Sequence, residues 1–263
     1  MNRALNPLPL AGRRIVVTRP EGQAEGLAAL IQQAGGEPLK IPMLEILDAA
    51  DPQPFYSVAE RLGSFDCAIF VSRNAVRRGF AMLGQRPWPA QLQVATVGAG
   101  SREELAARGV ARVIAPAGQA DSEALLALPE FAQVAGRRIV IFRGEGGRTL
   151  LGDTLAARGA QIEHAICYRR AAPAAGGALL AAAWEGGTVD ALMLSSGEGL
   201  ANLLEMLGGE GPRRLAGVAL FVPHPRIARE AAGQGLERVI VAGPGDAEMA
   251  AALVAYFGGA SYN

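Results

Sequence analysis

Short runs of Val, Ile, Leu and Phe recur along the chain without strict polar alternation: IVVT, AIFVS, VATVG and RVIAP, then IVIF, ALMLS, ALFVP and RVIVAG. Apolar runs of that length without alternation are expected of parallel strands buried on both faces. The stretches between them have helical spacing. AEGLAALIQQAGG places Leu27, Leu30 and Ile31 on one face with Gly35 as a stop, and REELAARG and REAAGQG follow the same plan. After Gly243, Met249, Leu253, Val254 and Phe257 predict a last helix that docks on the body of the protein. Each half therefore reads β-α-β-α-β-α-β-α.

The two halves match. RIVVTRPEGQ from Arg14 is followed at Arg138 by RIVIFRGEGG, an offset of 124 residues (138 minus 14). At the same offset FDCAIFVSRNAV from Phe65 meets VDALMLSSGEGL from Val189, and VATVGAG from Val94 meets VALFVPH from Val218. A gain of one or two residues is expected only near ARVIAPAG and ERVIVAGPG. A constant register across three separated segments indicates an internal duplication.

After the first helix of each half comes an extended apolar segment, GEPLKIPMLEILDAA and then AQIEHAICYRRAAP. Two such segments suggest linkers crossing side by side as a two-stranded ladder between lobes. The predicted fold is α/β, with two similar parallel-sheet lobes of flavodoxin-like or Rossmann-like type. One lobe is discontinuous, residues 1–39 with 172–263, and the other, 40–171, is inserted into it. Two sequential domains split near residue 130 are the alternative. AAPAAGGA from Ala171 suits a hinge under either arrangement.

Composition narrows the function. The chain has 263 residues, half of them hydrophobic and 19% charged, enough for real cores and against disorder. Lys+Arg and Asp+Glu balance at 25 each, so no basic field points to nucleic acid. No apolar run approaches the roughly 18 residues of a membrane span, and MNRALNPLPLAG is short and Pro-broken for a leader. A cytoplasmic protein is expected. Lys40 is the only lysine and has no glycine loop beside it, which disfavours a phosphate-loop NTPase and a Schiff base. Cys67 and Cys167 lie in apolar runs as structural thiols, and His164 and His224 lack zinc-site spacing, so no metal is expected.

Ligands of parallel sheets bind beyond the C-terminal strand ends. Here those loops are TRPEGQ, SRNAV, VGAGS, APAGQADS, RGEGGRT, SSGEG, VPHPR and AGPGD, rich in Gly, Ser and Arg. Free backbone N–H groups, hydroxyls and guanidinium forks suit a polyanion. Each element also has a plain reading. Arg19 and Arg143 can form surface ion pairs, Ser72, Ser195 and Ser196 can cap helices, and the glycines of RGEGG can serve a tight turn. GAGSRE from Gly98 lacks the third glycine of a dinucleotide fingerprint. Tyr168, at the end of AICYRR, is either a half-buried tyrosine or a phenol able to give a proton to a ligand.

VVTRP, FVSRNAV, RGEGGR and YRR, in that order and spacing, resemble the uroporphyrinogen-III synthase family over nearly the whole chain, from about Arg14 to Phe257. The resemblance implies two α/β lobes joined by a two-stranded ladder, and a cyclising lyase that needs no cofactor or metal. Its substrate would be hydroxymethylbilane, a linear tetrapyrrole with eight carboxylates. Loss of the hydroxyl leaves an azafulvene, the substituted carbon of ring D attacks it to give a spiro-pyrrolenine, and fragmentation with reclosure yields uroporphyrinogen III. The substrate closes unaided to the I isomer, so the protein acts mostly by positioning.

Residue by residue, the resemblance makes Tyr168 the acid that assists departure of the hydroxyl. It places Arg19, Pro20, Ser72, Asn74, Ser101, Arg143, Gly144, Ser195, Ser196 and Arg226 around the substrate. VPHPRIA departs from the family's usual Gly-rich loop followed by Thr-Ala, with Arg226 and Ile227 in that region, and Ser101 stands where threonine is frequent. A monomer is expected, with at most transient contact to the upstream deaminase and none to nucleic acid or membrane. The alternative is a non-enzymatic two-lobed module that closes on a small anion, for which an export leader would be expected. A nucleotide-dependent oxidoreductase ranks third.

Overall fold

Strands buried on both faces need helices on both sides, and the chain supplies them. The computed structural model describes residues 8–117 and 121–259. The ends of the chain and residues 118–120 of the APAGQADS loop lie outside the described residues. The strands are β1 (Arg14–Val17), β2 (Glu37–Lys40), β3 (Glu45–Leu47), β4 (Cys67–Phe70), β5 (Gln93–Thr96), β6 (Arg138–Gly144), β7 (Gln161–Ala171), β8 (Ala191–Met193), β9 (Ala219–Val222) and β10 (Val239–Val241). The α-helices are α1 (Glu25–Gln33), α2 (Gln53–Glu60), α3 (Arg73–Leu83), α4 (Ala99–Ala106), α5 (Ser122–Leu126), α6 (Leu150–Ala157), α7 (Gly176–Glu185), α8 (Gly197–Leu207), α9 (Gly211–Arg214), α10 (Pro225–Gly233) and α11 (Asp246–Phe257).

The chain divides into two compact units. One takes the chain up to Glu45 and from Ala171 onward, and the other is Ile46–Arg170. The first holds a sheet of order β10-β9-β8-β1-β2, the second a sheet of order β3-β7-β6-β4-β5. The ladders between β1 and β2, β1 and β8, β8 and β9, and β9 and β10 are parallel, as are those joining β7, β6, β4 and β5.

In each sheet successive residues go to opposite sides. Val16 joins a cluster with Leu180, Leu192, Leu203 and Ile227, while Ile15 and Val17 join one with Leu27, Ile31, Met249 and Leu253. In the other unit Val140 and Phe142 face Val76, Leu83 and Leu105, whereas Ile139 and Ile141 face Leu125, Leu151 and Leu155. Phe142 stacks on Phe70 with ring centroids 4.4 Å apart. Gly79 lets α3 come down on that pair, since a Cβ there would sit 3.0 Å from the Phe142 ring.

Two acids fix the starts of central strands in the same way. Asp190 accepts from the backbone N–H of Arg14 at 2.9 Å, and Asp66 accepts from that of Arg138 at 2.7 Å. The pairing registers also correspond: Arg14 lies opposite Glu37 and Arg138 opposite Gln161, and Ile15 opposite Ala191 where Cys67 lies opposite Ile139.

Two expectations are corrected. The third strand does not keep the 124-residue offset, because Cys67 pairs with Gln93 but Ala191 pairs with Ala219, an offset of 126 (219 minus 93). Two residues enter earlier than expected, between the end of α8 and β9, where the chain forms the extra turn α9. RVIAP does not form a strand either. Ile114 alone bridges Ala95, and Pro116 has no N–H with which to extend a ladder. A groove of about 830 Å³ lies there, lined by Gln91, Gln93, Arg102 and Arg112 among others. It gathers no reactive cluster.

Two glutamates tie elements of the inserted unit together. Hydrogen bonds from Arg61, at 2.7 and 2.5 Å, outweigh partial burial and, with the charge of Arg138, hold Glu163 below the usual carboxylate range. Burial raises Glu104, but hydrogen bonds from Arg77 and Arg108 outweigh it and leave it lowered as well. A carboxylate with a lowered folded-state pKa stabilises above its unfolded value of about 4.3, and that contribution is lost as pH falls through the folded value. Melting temperature is therefore expected to fall below about pH 4, and Glu163→Gln should both lower it at pH 7 and flatten the acid limb. An acid limb identical in the variant would remove Glu163 from this role.

Candidate active site

The strand ends of Ile46–Arg170 bring several candidates together. β4 runs out at Phe70, and Ser72 in extended conformation caps α3, accepting from the Ala75 N–H at 3.0 Å. The same Ser72 hydroxyl lies 3.0 Å from the Tyr168 hydroxyl, and either can be the donor. Tyr168 is only 2% exposed, so its phenol is held in one place.

A bulge sets that place. Arg143 lies opposite Ile166 but Gly144 lies opposite Tyr168, with the irregularity between Arg143 and Gly144. Cys167 and Tyr168 consequently belong to one apolar cluster, which strict alternation along a strand would forbid. Gly144 serves close approach, because a Cβ there would lie 2.6 Å from Tyr168 Cε2 and 2.7 Å from Cζ. Gly146 and Gly147 are turn glycines with φ of 64° and 82°. The tight-turn reading of RGEGG thus holds for Gly146 and Gly147 and not for Gly144.

The loop encloses a cavity of about 200 Å³ whose lining includes Val71, Ser122, Arg143, Arg148, Tyr168 and Arg170. Arg143 donates to the carbonyls of Gly144 and Gly146. Glu145, the acid of the loop, is turned to the backbone N–H of Ala50 at 2.6 Å. Arg148 and Arg170 were not singled out from sequence, although RGEGGR and YRR contain them. Asn74 lies in the first turn of α3, and Ser101 is buried in the first turn of α4.

In the other unit the candidates are more separate. Arg19 follows β1 and pairs with Asp246 at 2.5 Å, at the start of α11. Gly26 makes room, since a Cβ there would be 2.5 Å from the Asp246 carboxylate. Arg19 is thus held in a half-buried ion pair rather than a surface one, and Pro20 beside it is buried. Ser196 caps α8 through the Gly199 N–H at 3.0 Å, and Ser195 is exposed. Arg226 pairs with Glu230 one turn along α10, and His224 caps that helix through Nδ1, which accepts from the Arg226 N–H at 3.0 Å. Two buried hydroxyls escaped notice in the sequence. Thr18 Oγ1 donates to the Met193 carbonyl at 2.8 Å and Thr96 Oγ1 to that of Phe70 at 2.7 Å, each bridging neighbouring strand ends.

Arg73 is a further residue missed. Its Nε faces the Gly100 carbonyl at 3.4 Å, and a Cβ on Gly100 would lie 3.0 Å from its Cζ. In the other unit the residue types are exchanged: Gly197 begins α8, and a Cβ there would be 2.6 Å from the Glu230 carboxylate and 3.7 Å from Nη1 of its partner Arg226 on α10. A guanidinium thus lies between the two helix starts in both units, supplied from opposite sides. Combining Arg73→Gly with Gly100→Arg is expected to recover most of the melting temperature that either change alone loses. Additive losses in thermal unfolding would mean that the two positions do not share one space.

Burial pushes the Cys67 and Cys167 thiols up to about 12, so neither is a nucleophile at neutral pH. Lys40 pairs with Glu25 at 3.7 Å. Among the described residues no group of His, Cys, Asp and Glu could hold a metal ion, and no helix is long and apolar enough to cross a membrane. What the strand ends of Ile46–Arg170 offer is a hydrogen-bonded phenol, a serine cap and arginines.

Known proteins resemble this chain over most of its length. The family model described as uroporphyrinogen-III synthase HemD matches residues 25–251. The chain is 32% identical over 195 residues to the uroporphyrinogen-III synthase of Escherichia coli strain K12, covering 73% of this chain and 79% of the relative. It is 34% identical over 194 residues to that of Salmonella typhimurium strain LT2, covering 72% and 78%. In fold it is similar to a uroporphyrinogen III synthase of the extremely thermophilic bacterium Thermus thermophilus, with TM-score 0.61 and 18% identity over 93% of this chain and 97% of the other. The synthase of Helicobacter pylori 26695 gives 0.57 and 14% over 92% and 99%. The chain belongs to the uroporphyrinogen-III synthase family.

Proposed function

We propose that the chain performs the reaction that names its family, closing hydroxymethylbilane to uroporphyrinogen III with loss of water and inversion of ring D through a spiro-pyrrolenine. The observation that carries the mechanism is the Tyr168–Ser72 pair, 3.0 Å apart beside an arginine-lined cavity. Electrons of the terminal pyrrole expel the hydroxyl, Tyr168 donates the proton that makes it water, and Ser72 orients the phenol. The proton released when ring D regains aromaticity returns to the phenolate, so the enzyme is unchanged. Closure at the substituted carbon then depends on how the chain is folded against the protein, which positioning residues control.

In this reading Arg19, Pro20, Asn74, Ser101, Arg143, Gly144, Ser195, Ser196 and Arg226 contact the substrate. Arg19 and Arg226 would first have to exchange Asp246 and Glu230 for substrate carboxylates. The two units are read as copies of one fold, supported by the matching registers and by the strand-fixing pair Asp66 and Asp190. The crossings are read as a two-stranded ladder about which the lobes close, and the enzyme as a monomer that meets the upstream deaminase transiently.

The test is to supply freshly made hydroxymethylbilane, oxidise the products and separate the isomers by chromatography. Predominant type III over a protein-free control is expected. Type I alone, formed at the uncatalysed rate, would instead favour the small-anion binding module.

A further inference from the structure

We infer that the cavity beside Gly144–Gly147 is a subsite for one carboxylate-bearing arm of the substrate, held by Arg143, Arg148 and Arg170; this rests on the reading above. Its lining residues include three arginines, Ser122, Tyr168, glycines and apolar residues and no acid, with Glu123 paired to Arg148 from outside it. The acid of the loop, Glu145, is engaged with Ala50.

Size selects the ligand. About 200 Å³ is below the ~300 Å³ at which pockets begin to take whole drug-sized molecules, so the cavity admits a side arm and not a tetrapyrrole. Two of the guanidiniums flank Gly147, where a Cβ would touch Arg170 Nη2 at 3.4 Å and Arg143 Nη2 at 3.6 Å. Arg143 is aimed by the carbonyls of Gly144 and Gly146, and Arg148 by Glu123 in α5, which grips both its terminal nitrogens from outside the cavity lining. Planar forks so held match the two oxygens of a carboxylate.

In the other unit the candidate arginines lie apart, Arg19 with Asp246 and Arg226 with Glu230, whereas Arg143, Arg148 and Arg170 line one cavity next to Tyr168. Arg148 is paired with Glu123 in the same way. An arm anchored in that cavity fixes which pyrrole lies by the phenol, so the subsite orients the substrate for loss of its hydroxyl.

The test uses the full chain and two probes, glutarate and inorganic phosphate, followed through the amide resonances of Gly144, Gly146 and Gly147. Glutarate is expected to shift these signals saturably. Arg148→Ala and Arg143→Lys should each weaken it about tenfold, as loss of a charge-assisted hydrogen bond does. With hydroxymethylbilane, Arg148→Ala should raise KM about tenfold with kcat little changed. Unshifted amides, phosphate binding without glutarate, or a wild-type KM in both variants would overturn the subsite. Glutarate binding that the variants weaken, with no type III product from the wild type, would leave the subsite standing and remove the proposed reaction. Arg143→Lys guards against loss of the loop, since it keeps a cation at that position.

Discussion

Replacing Tyr168 by phenylalanine is expected to lower kcat for hydroxymethylbilane about a hundredfold, the lower end of what a positioned acid contributes. KM should change little, because the ring and its packing stay. The fold should lose about 1 kcal/mol, the worth of one hydrogen bond to Ser72. Product composition reports the same event. Free substrate closes unaided to the I isomer, so a slowed enzyme leaves more of it to escape, and the type I fraction should rise as enzyme concentration falls. Ser72→Ala should move kcat in the same direction and less, since it removes the orienting partner and keeps the acid. A Tyr168→Phe enzyme with wild-type kcat would show that the hydroxyl leaves without it.

Gly144→Ala is expected to be the most damaging methyl that can be added near the site. The new Cβ would meet three atoms of one ring, at 2.6, 2.7 and 3.1 Å, and that ring is buried and cannot swing aside. Overpacking of this kind costs about 1–3 kcal/mol, and a rigid aromatic neighbour places it at the upper end. The clash also pushes the phenol from Ser72, so the melting temperature and kcat should fall together. Adding Tyr168→Leu to Gly144→Ala tests the cause: the stability loss of the pair should be well below the sum of the single losses. Additive losses would mean that the backbone at Gly144 is at fault. The damage should not come from conformation, because Gly144, unlike Gly146 and Gly147, does not have a positive φ.

How much of the site was legible differs from residue to residue. Ser72 and Ser196 as helix caps follow from a serine placed just after a strand and before a helical run, a relation within four residues. Tyr168 was singled out by its position at the end of a crossing segment, yet nothing in AICYRR announces a bulge. The bulge depends on how β7 meets β6, and it decides that Tyr168 faces Gly144 and reaches Ser72. Arg19 shows the converse. Its place at the strand end was readable, whereas its partner Asp246 lies at the far end of the chain and meets it only because α11 packs on α1.

By itself the sequence determined what short-range chemistry dictates: most of the buried strands, the helices with their apolar faces and the glycine turns. Those follow from side-chain periodicity and local backbone preference, which act over a few residues. The tertiary structure alone decided the two-residue gain before β9, the reduction of RVIAP to a single bridge, the exchange of Arg73 and Gly100 for Gly197 and Arg226, and the three arginines about one cavity. Each depends on which distant groups share a space, and steric exclusion and ion pairing between strand ends settle that only when the sheets are assembled.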